Sequence, residues 1–180
     1  MLSDHQTMNM KLSLAKKPDL KDIPLIIEKL RNENLIEHLY FVKRNTAYLW
    51  FEGERNYVLP QPEKLLRMND ALVLHNHING TSFSYEEIDA ITKYNANELM
   101  VICKARTYSV KRPSGGWSFS FEREKDYEQY QNAFNEGNEY IDLLIQERKL
   151  EERERNDFLN HITWKIFFPK FGIEYKPYGL

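Results

Sequence analysis

Ala71-Leu72-Val73-Leu74 is an unbroken apolar run of strand length, with Asn69-Asp70 before it and His75-Asn76-His77 after it. A strand with one wet face alternates apolar and polar side chains, whereas one that does not alternate must be covered on both faces. The run therefore predicts a central strand in a layered α/β (α+β) fold, a mixed β-sheet flanked by helices.

Weaker signals surround it. Asp22 followed by Pro24, with Leu25, Ile26 and Leu30 on one side, predicts a helix to about Asn32. Leu39-Tyr40-Phe41-Val42 and Ala47-Tyr48-Leu49-Trp50-Phe51 flank a polar tetrapeptide and predict a hairpin. Asn56 to Leu59 suggests a further short strand, and Pro62 opens a short helix to Met68. Ser84-Tyr85-Glu86-Glu87 has the form of a capping box and predicts a helix to about Tyr94. Leu99 to Cys103 and Thr107 to Lys111 form a second hairpin-like pair, closed by Pro113-Ser114-Gly115-Gly116.

Beyond Trp117 the spacing of Tyr127, Tyr130, Phe134, Ile141, Leu144 and Ile145 is helical, with a kink or break expected at Gly137. The charged run Gln146 to Asn156 predicts a solvated helix face laced with ion pairs. A last helix from Phe158 to Phe168 and an aromatic tail should fold back onto the sheet. These readings divide the chain into an N-terminal arm (residues 1–21), an α/β domain (22–116) and a helical C-terminal extension (117–180) packing on the same domain.

A length of 180 residues suits one domain with a sizeable core. The balance of 27 acidic against 25 basic side chains gives a net charge of −2, so no basic surplus argues for nucleic acid. No apolar run is long enough to span a membrane, and the N-terminus lacks the order of a signal peptide. One cysteine, Cys103, sits in an apolar segment and reads as buried filler, which excludes an internal disulfide and a multi-cysteine zinc site. A cytoplasmic setting is expected.

Chemistry concentrates at the exit of the central strand. His75 and His77 lie two apart and share a face if the pleat persists through Asn76. Asn79-Gly80-Thr81 supplies a turn, and the helix opening at Ser84 presents Glu87 in its first turn. Two imidazoles and a carboxylate suit a divalent metal with an open fourth position. The same Glu87 is also what a capping box requires, reaching back to the Ser84 amide with no metal involved.

The order strand, His-x-His, turn, Ser-x-x-carboxylate, helix resembles the JAMM (JAB/MPN-type) metalloproteases and their RadC-like relatives. Within that family it is similar to versions found in phage head-morphogenesis proteins and bacterial mobile elements, which read His-Asn-His-Pro, a few small residues, then Ser-Phe-Ser, two residues and Asp. Here the letters are His75-Asn76-His77-Ile78 and Ser82-Phe83-Ser84-Tyr85-Glu86-Glu87. The motif covers His75 to Ile88, and element order extends the likeness over residues 35–112. The resemblance implies a JAB/MPN-like fold and Zn²⁺ held by His75, His77 and Glu87. It further implies that Ser84 steadies an oxyanion and that Glu37, just before the first hairpin strand, is the general base; Glu52 and Glu54 are poorer matches. A protein or peptide substrate cleaved at a peptide or isopeptide bond follows, with self-association through the C-terminal helix as a further expectation.

Two departures motivate a second reading. Ile78 stands where the family has proline, and Glu87 where it has aspartate, as in a domain kept for binding or assembly rather than hydrolysis. A third reading, a metal nuclease suggested by His-Asn-His, lacks the longer hairpin-and-helix spread of histidines and any basic surface.

Overall fold

The computed structural model describes residues 11–178, so the first half of the expected arm, including His5, lies outside the described residues. The fold is mixed α+β. Seven strands form one sheet: β1 (Ala15–Lys16), β2 (His38–Lys43), β3 (Thr46–Glu52), β4 (Leu72–Asn76), β5 (Glu98–Ile102), β6 (Thr107–Lys111) and β7 (Tyr175–Tyr178), in the order β1-β3-β2-β4-β5-β6-β7. Among the described residues five α-helices accompany them: α1 (Ile23–Asn32), α2 (Pro62–Leu65), α3 (Tyr85–Lys93), α4 (Glu124–Gln146) and α5 (Arg155–Phe167).

Both expected hairpins form. Arg44 and Asn45 turn the first with positive φ values of 49° and 60°, the primed-turn geometry that matches strand twist. β4 sits between antiparallel β2 and parallel β5, with α3 as the crossover. Its two faces are covered as the apolar run requires. Leu74, with Tyr40, Val42 and Ile102, packs against Ile26 and Leu30 of α1, while Val73, Leu39, Phe41 and Val101 join Ile88 and Ile91 of α3 and the aromatic cluster Phe119, Trp164, Phe167 and Phe168.

Four expectations change. Residues 13–22 are tied to the sheet through β1 and through backbone bridges from Ser13 to Pro60 and from Asp22 to Thr46. Asn56 to Leu59 is not a strand, because it folds back on its own neighbours: Glu54 N–H donates to Tyr57 O at 2.9 Å, and a Cβ on Gly53 would lie 2.2 Å from that carbonyl. α4 runs through Gly137 without a break. A methyl there would come within 3.3 Å of Thr163 Oγ1 and 3.5 Å of Ile162 Cγ2, so the glycine permits close packing of α5 on α4. The charged run is not one helix either, since Arg148 takes a positive φ of 58°, Leu150 turns inward and α5 restarts at Arg155.

The tail folds back as β7, pairing Tyr175–Tyr178 with β6. Residues beyond Trp117 thus contribute both a strand and the aromatic side of the core. Among the described residues no helix is long and apolar enough to cross a membrane.

Candidate metal centre

The end of β4 determines which way the histidines face. Asn76 is its last residue, but His77 N–H still donates to Ile102 O at 3.2 Å, so pairing with β5 holds one residue further. The pleat therefore persists, and His75 and His77 both face the side covered by α3. Their rings meet edge to face with centroids 4.7 Å apart.

Glu37 arrives from the other neighbour of β4. It precedes β2, and its backbone is paired on the β3 side: Glu37 N–H donates to Glu54 O at 2.8 Å, and Gly53 N–H donates to Glu37 O at 2.8 Å. Its side chain shares the face of Leu39 and Phe41, and Oε2 lies 3.3 Å from His75 Nε2. Glu37, His75 and His77 are 4%, 5% and 9% exposed.

Glu87 caps its helix and faces the histidines at once, with different oxygens. Oε2 accepts the Ser84 N–H at 2.7 Å while Ser84 Oγ accepts the Glu87 N–H at 3.2 Å, a complete capping box. Oε1 points the other way, 3.2 Å from His77 Nε2 and 3.6 Å from His75 Nε2. The Glu87 side chain is the most open member of the cluster at 21% exposure, so solvent reaches the site past α3.

Turn residues fix the His77 ring. Thr81 presents both its carbonyl and its Oγ1 to His77 Nδ1 at 3.1 Å, and the Thr81 hydroxyl donates to Asn79 Oδ1 at 2.8 Å. Two acceptors at Nδ1 keep that nitrogen protonated and direct Nε2 to the cluster, as ligating histidines require. His75 differs: its Nδ1 is buried with no hydrogen-bond partner among the described residues, so packing and the carboxylates at Nε2 hold the ring.

Burial alone would lower the His77 pKa, but the Glu87 carboxylate, with help from Glu37, outweighs it and raises the value to about 9. Burial likewise opposes the ionised Glu87, yet His77 dominates and pulls its carboxyl down to about 2. Without an ion, a proton on His77 Nε2 bridges toward Glu87. Burial pushes the Cys103 thiol up to about 12, and Sγ donates to Thr81 O at 3.4 Å, consistent with filler behind the turn.

Donor geometry fits a metal. Ligands at 2.0–2.1 Å from a tetrahedral zinc stand roughly 3.3–3.4 Å from one another. The separations of 3.2, 3.3 and 3.6 Å between imidazole and carboxylate atoms bracket that edge length. Glu37, His75 and His77 offer ligand atoms all within 4.8 Å of one another, a group that could hold an ion.

Other candidates fall elsewhere. Glu52 pairs with Lys16 at 2.9 Å on the surface, and Glu54 meets the site only through its backbone. His38 faces the α1 side, where Trp50 Nε1 donates to its Nδ1 at 3.1 Å, and His161 Nδ1 lies 2.8 Å from the Tyr175 hydroxyl. Sequence reasoning missed the ring-holding role of Thr81 and the tie from Trp164 Nε1, which donates to Phe83 O at 2.7 Å and anchors the segment leading into Ser84. Neither contact leaves a local pattern, although the Asn79-Gly80-Thr81 turn signal marked the right loop.

No protein-family model matches this chain, and no curated protein or solved structure is significantly similar to it.

Proposed function

We propose that the chain is a zinc-dependent hydrolase of the JAMM type that cleaves a peptide or isopeptide bond, with a JAB/MPN-like domain as its scaffold. One observation carries the reading: His75 and His77 of β4 meet two carboxylates, Glu37 at the start of β2 and Glu87 in the first turn of α3, at imidazole–carboxylate separations of 3.2, 3.3 and 3.6 Å, and Glu37 with the two histidines forms a group that could hold an ion.

In this reading His75, His77 and Glu87 hold the ion and Glu37 works beside it. Zinc in such a site supplies Lewis acidity, lowering the pKa of water to about 7 and polarising an amide carbonyl. Glu37 Oε2, buried against His75, accepts the proton of the attacking water and returns it to the departing amine as the C–N bond breaks. The Ser84 Oγ lone pair is committed to the Glu87 amide, which leaves its hydrogen to donate to the developing oxyanion. Thr81 keeps His77 in the ligating tautomer.

The test is an element-specific metal measurement on untagged protein. One equivalent of zinc, lost on combining His75→Ala with His77→Ala, is expected, together with chelator-sensitive cleavage of a peptide or lysine-linked isopeptide. Folded wild-type protein that carries no metal and takes none up would end the proposal.

The double use of Glu87 favours one alternative. Its Oε1 also satisfies protonated His77 with no ion present, as in a catalytically degenerate module kept for binding or assembly, and a phage or mobile-element setting fits that reading through the His-Asn-His and Ser-Phe-Ser likeness. Unchanged biological activity in Glu37→Gln would select it.

A further inference from the structure

Asn76, the middle residue of His75-Asn76-His77, has no part in the proposed ligand set. By strand alternation it faces away from the two histidines, toward the α1 side, yet it is 1% exposed and both the oxygen and the nitrogen of its carboxamide are hydrogen-bonded. His38 N–H donates to Asn76 Oδ1 at 2.7 Å, and Asn76 Nδ2 donates to Ile36 O at 3.2 Å. Because both partners are backbone groups of fixed polarity, the orientation of the amide is unambiguous.

These two contacts bracket Glu37. In the β2–β4 ladder the last backbone pair is Leu39 with His75. Continuing the antiparallel register would set Glu37 opposite His77, but the ladder ends at Leu39 with His75, and the next N–H of β2 that faces β4, that of His38, goes to the Asn76 side chain. The strands therefore part beyond Leu39 and His75, beside the metal cluster, where the His38 N–H and the Ile36 carbonyl meet the Asn76 side chain. A carboxamide has the donor and acceptor of a peptide group, and Asn76 uses them to restore both hydrogen bonds across the opening. With Gly53 and Glu54 holding the opposite edge of Glu37, the residue is clamped from both sides.

We infer that Asn76 is the positioning residue for Glu37: its side chain stands in for the missing strand and fixes the carboxylate against His75 while leaving the gap that the ion requires. This rests on the proposed metal site. No other side chain of similar size does the same. Aspartate would accept from His38 but set an oxygen against the Ile36 carbonyl, serine is too short to span both groups, and glutamine carries an extra methylene.

The test uses Co²⁺ alone as the probe, added to metal-free protein, with Asn76→Ala and the milder Asn76→Ser beside Glu37→Gln. Wild type should bind one equivalent, and both Asn76 variants should bind Co²⁺ with less than about a tenfold loss of affinity, since the proposed ligands are untouched. Their Co²⁺ absorption bands should move toward those of Glu37→Gln, and Asn76→Ala should add nothing to the spectrum in the Glu37→Gln background. In the metal-free variants the His38 amide should exchange roughly tenfold faster while the Glu37 amide, bonded to Glu54, stays protected. A merely structural Asn76 would lower the unfolding midpoint and leave the spectrum at wild type, which would overturn the inference alone. Absence of Co²⁺ binding by folded wild type would overturn the metal site, and the inference with it.

Discussion

Replacing Glu87 by glutamine separates its two duties. Glutamine keeps an oxygen for the Ser84 amide, so the helix cap survives, but it removes the charge that faces His77 at 3.2 Å. In metal-free protein the His77 pKa rises from 6.5 to about 9 on folding, and the Glu87 pKa falls from 4.5 to about 2. Each shift corresponds to about 3 kcal/mol, and because both describe one interaction they are counted once. The raised His77 value gives stability that is full below pH 6.5 and disappears as pH climbs through 9; the lowered Glu87 value gives stability present above pH 4.5 and lost as pH falls through 2. The pair therefore contributes fully between pH 4.5 and 6.5. Urea unfolding of chelator-treated protein should show Glu87→Gln destabilised by about 3 kcal/mol at pH 5.5 and by less than about 1 kcal/mol at pH 10. A penalty equal at the two pH values would refute the ion pair. The zinc arm of the experiment ranks the carboxylates. Loss of a group that only supports a ligand costs about 10–100-fold in affinity, so a true ligand must cost more. Glu87→Gln should exceed about 100-fold and Glu37→Gln should stay below that. The reverse order would make Glu37 the third ligand.

Three further outcomes test the frame around the site. Burial first, then Lys165 and Arg106, lowers the His161 pKa to about 4, so between pH 6.5 and 4 the unfolded chain binds a proton that the folded one refuses. Stability should therefore fall by up to about 3 kcal/mol over that window as pH drops, and His161→Gln should flatten this limb of a urea-midpoint profile. Trp164→Phe leaves the buried Phe83 carbonyl without its donor and opens a small void, for an expected loss of about 2–4 kcal/mol in urea unfolding. Gly53→Ala drives a methyl into the Tyr57 carbonyl beside the backbone that holds Glu37, and about 2–3 kcal/mol of destabilisation should appear in urea unfolding.

What was legible in the sequence was local. The run from Ala71 to Leu74 announced its own burial, Ser84 and Glu87 announced a cap, and both hairpins carried their strand and turn residues side by side. Failures came where a segment's fate depends on a distant partner. Val58 reads as strand material, but Gly53 lets Asn56–Leu59 collapse onto the end of β3 instead of extending the sheet. Gly137 reads as a helix breaker, and only the position of Thr163 and Ile162 reveals it as a crossing point. The charged run reads as one helix because Glu and Arg favour helices, yet burying Leu150 requires a turn at Arg148, and Arg155 then ties the new helix back to Asp142 at 2.5 Å. For the site, the two histidines were evident, Glu37 followed only from the likeness in element order, and Asn76 as a clamp carries no sequence signal.

The same distinction explains why Glu87 was hard to assign. A capping glutamate and a ligating glutamate look like alternatives when one carboxylate is treated as one interaction, but its two oxygens diverge. Fixing Oε2 on the Ser84 amide removes the rotamer freedom that a surface glutamate would otherwise lose on meeting the histidines, and it aims Oε1 at Nε2 of both. The extra methylene relative to aspartate then becomes an advantage, since a shorter chain could not satisfy the amide and reach His77 from the same helical position. Glu87→Asp should therefore lose either the cap or the histidine contact. A crystal structure of that variant with zinc bound, showing aspartate meeting the ion while still accepting the Ser84 N–H, would refute this account of why glutamate occupies the position.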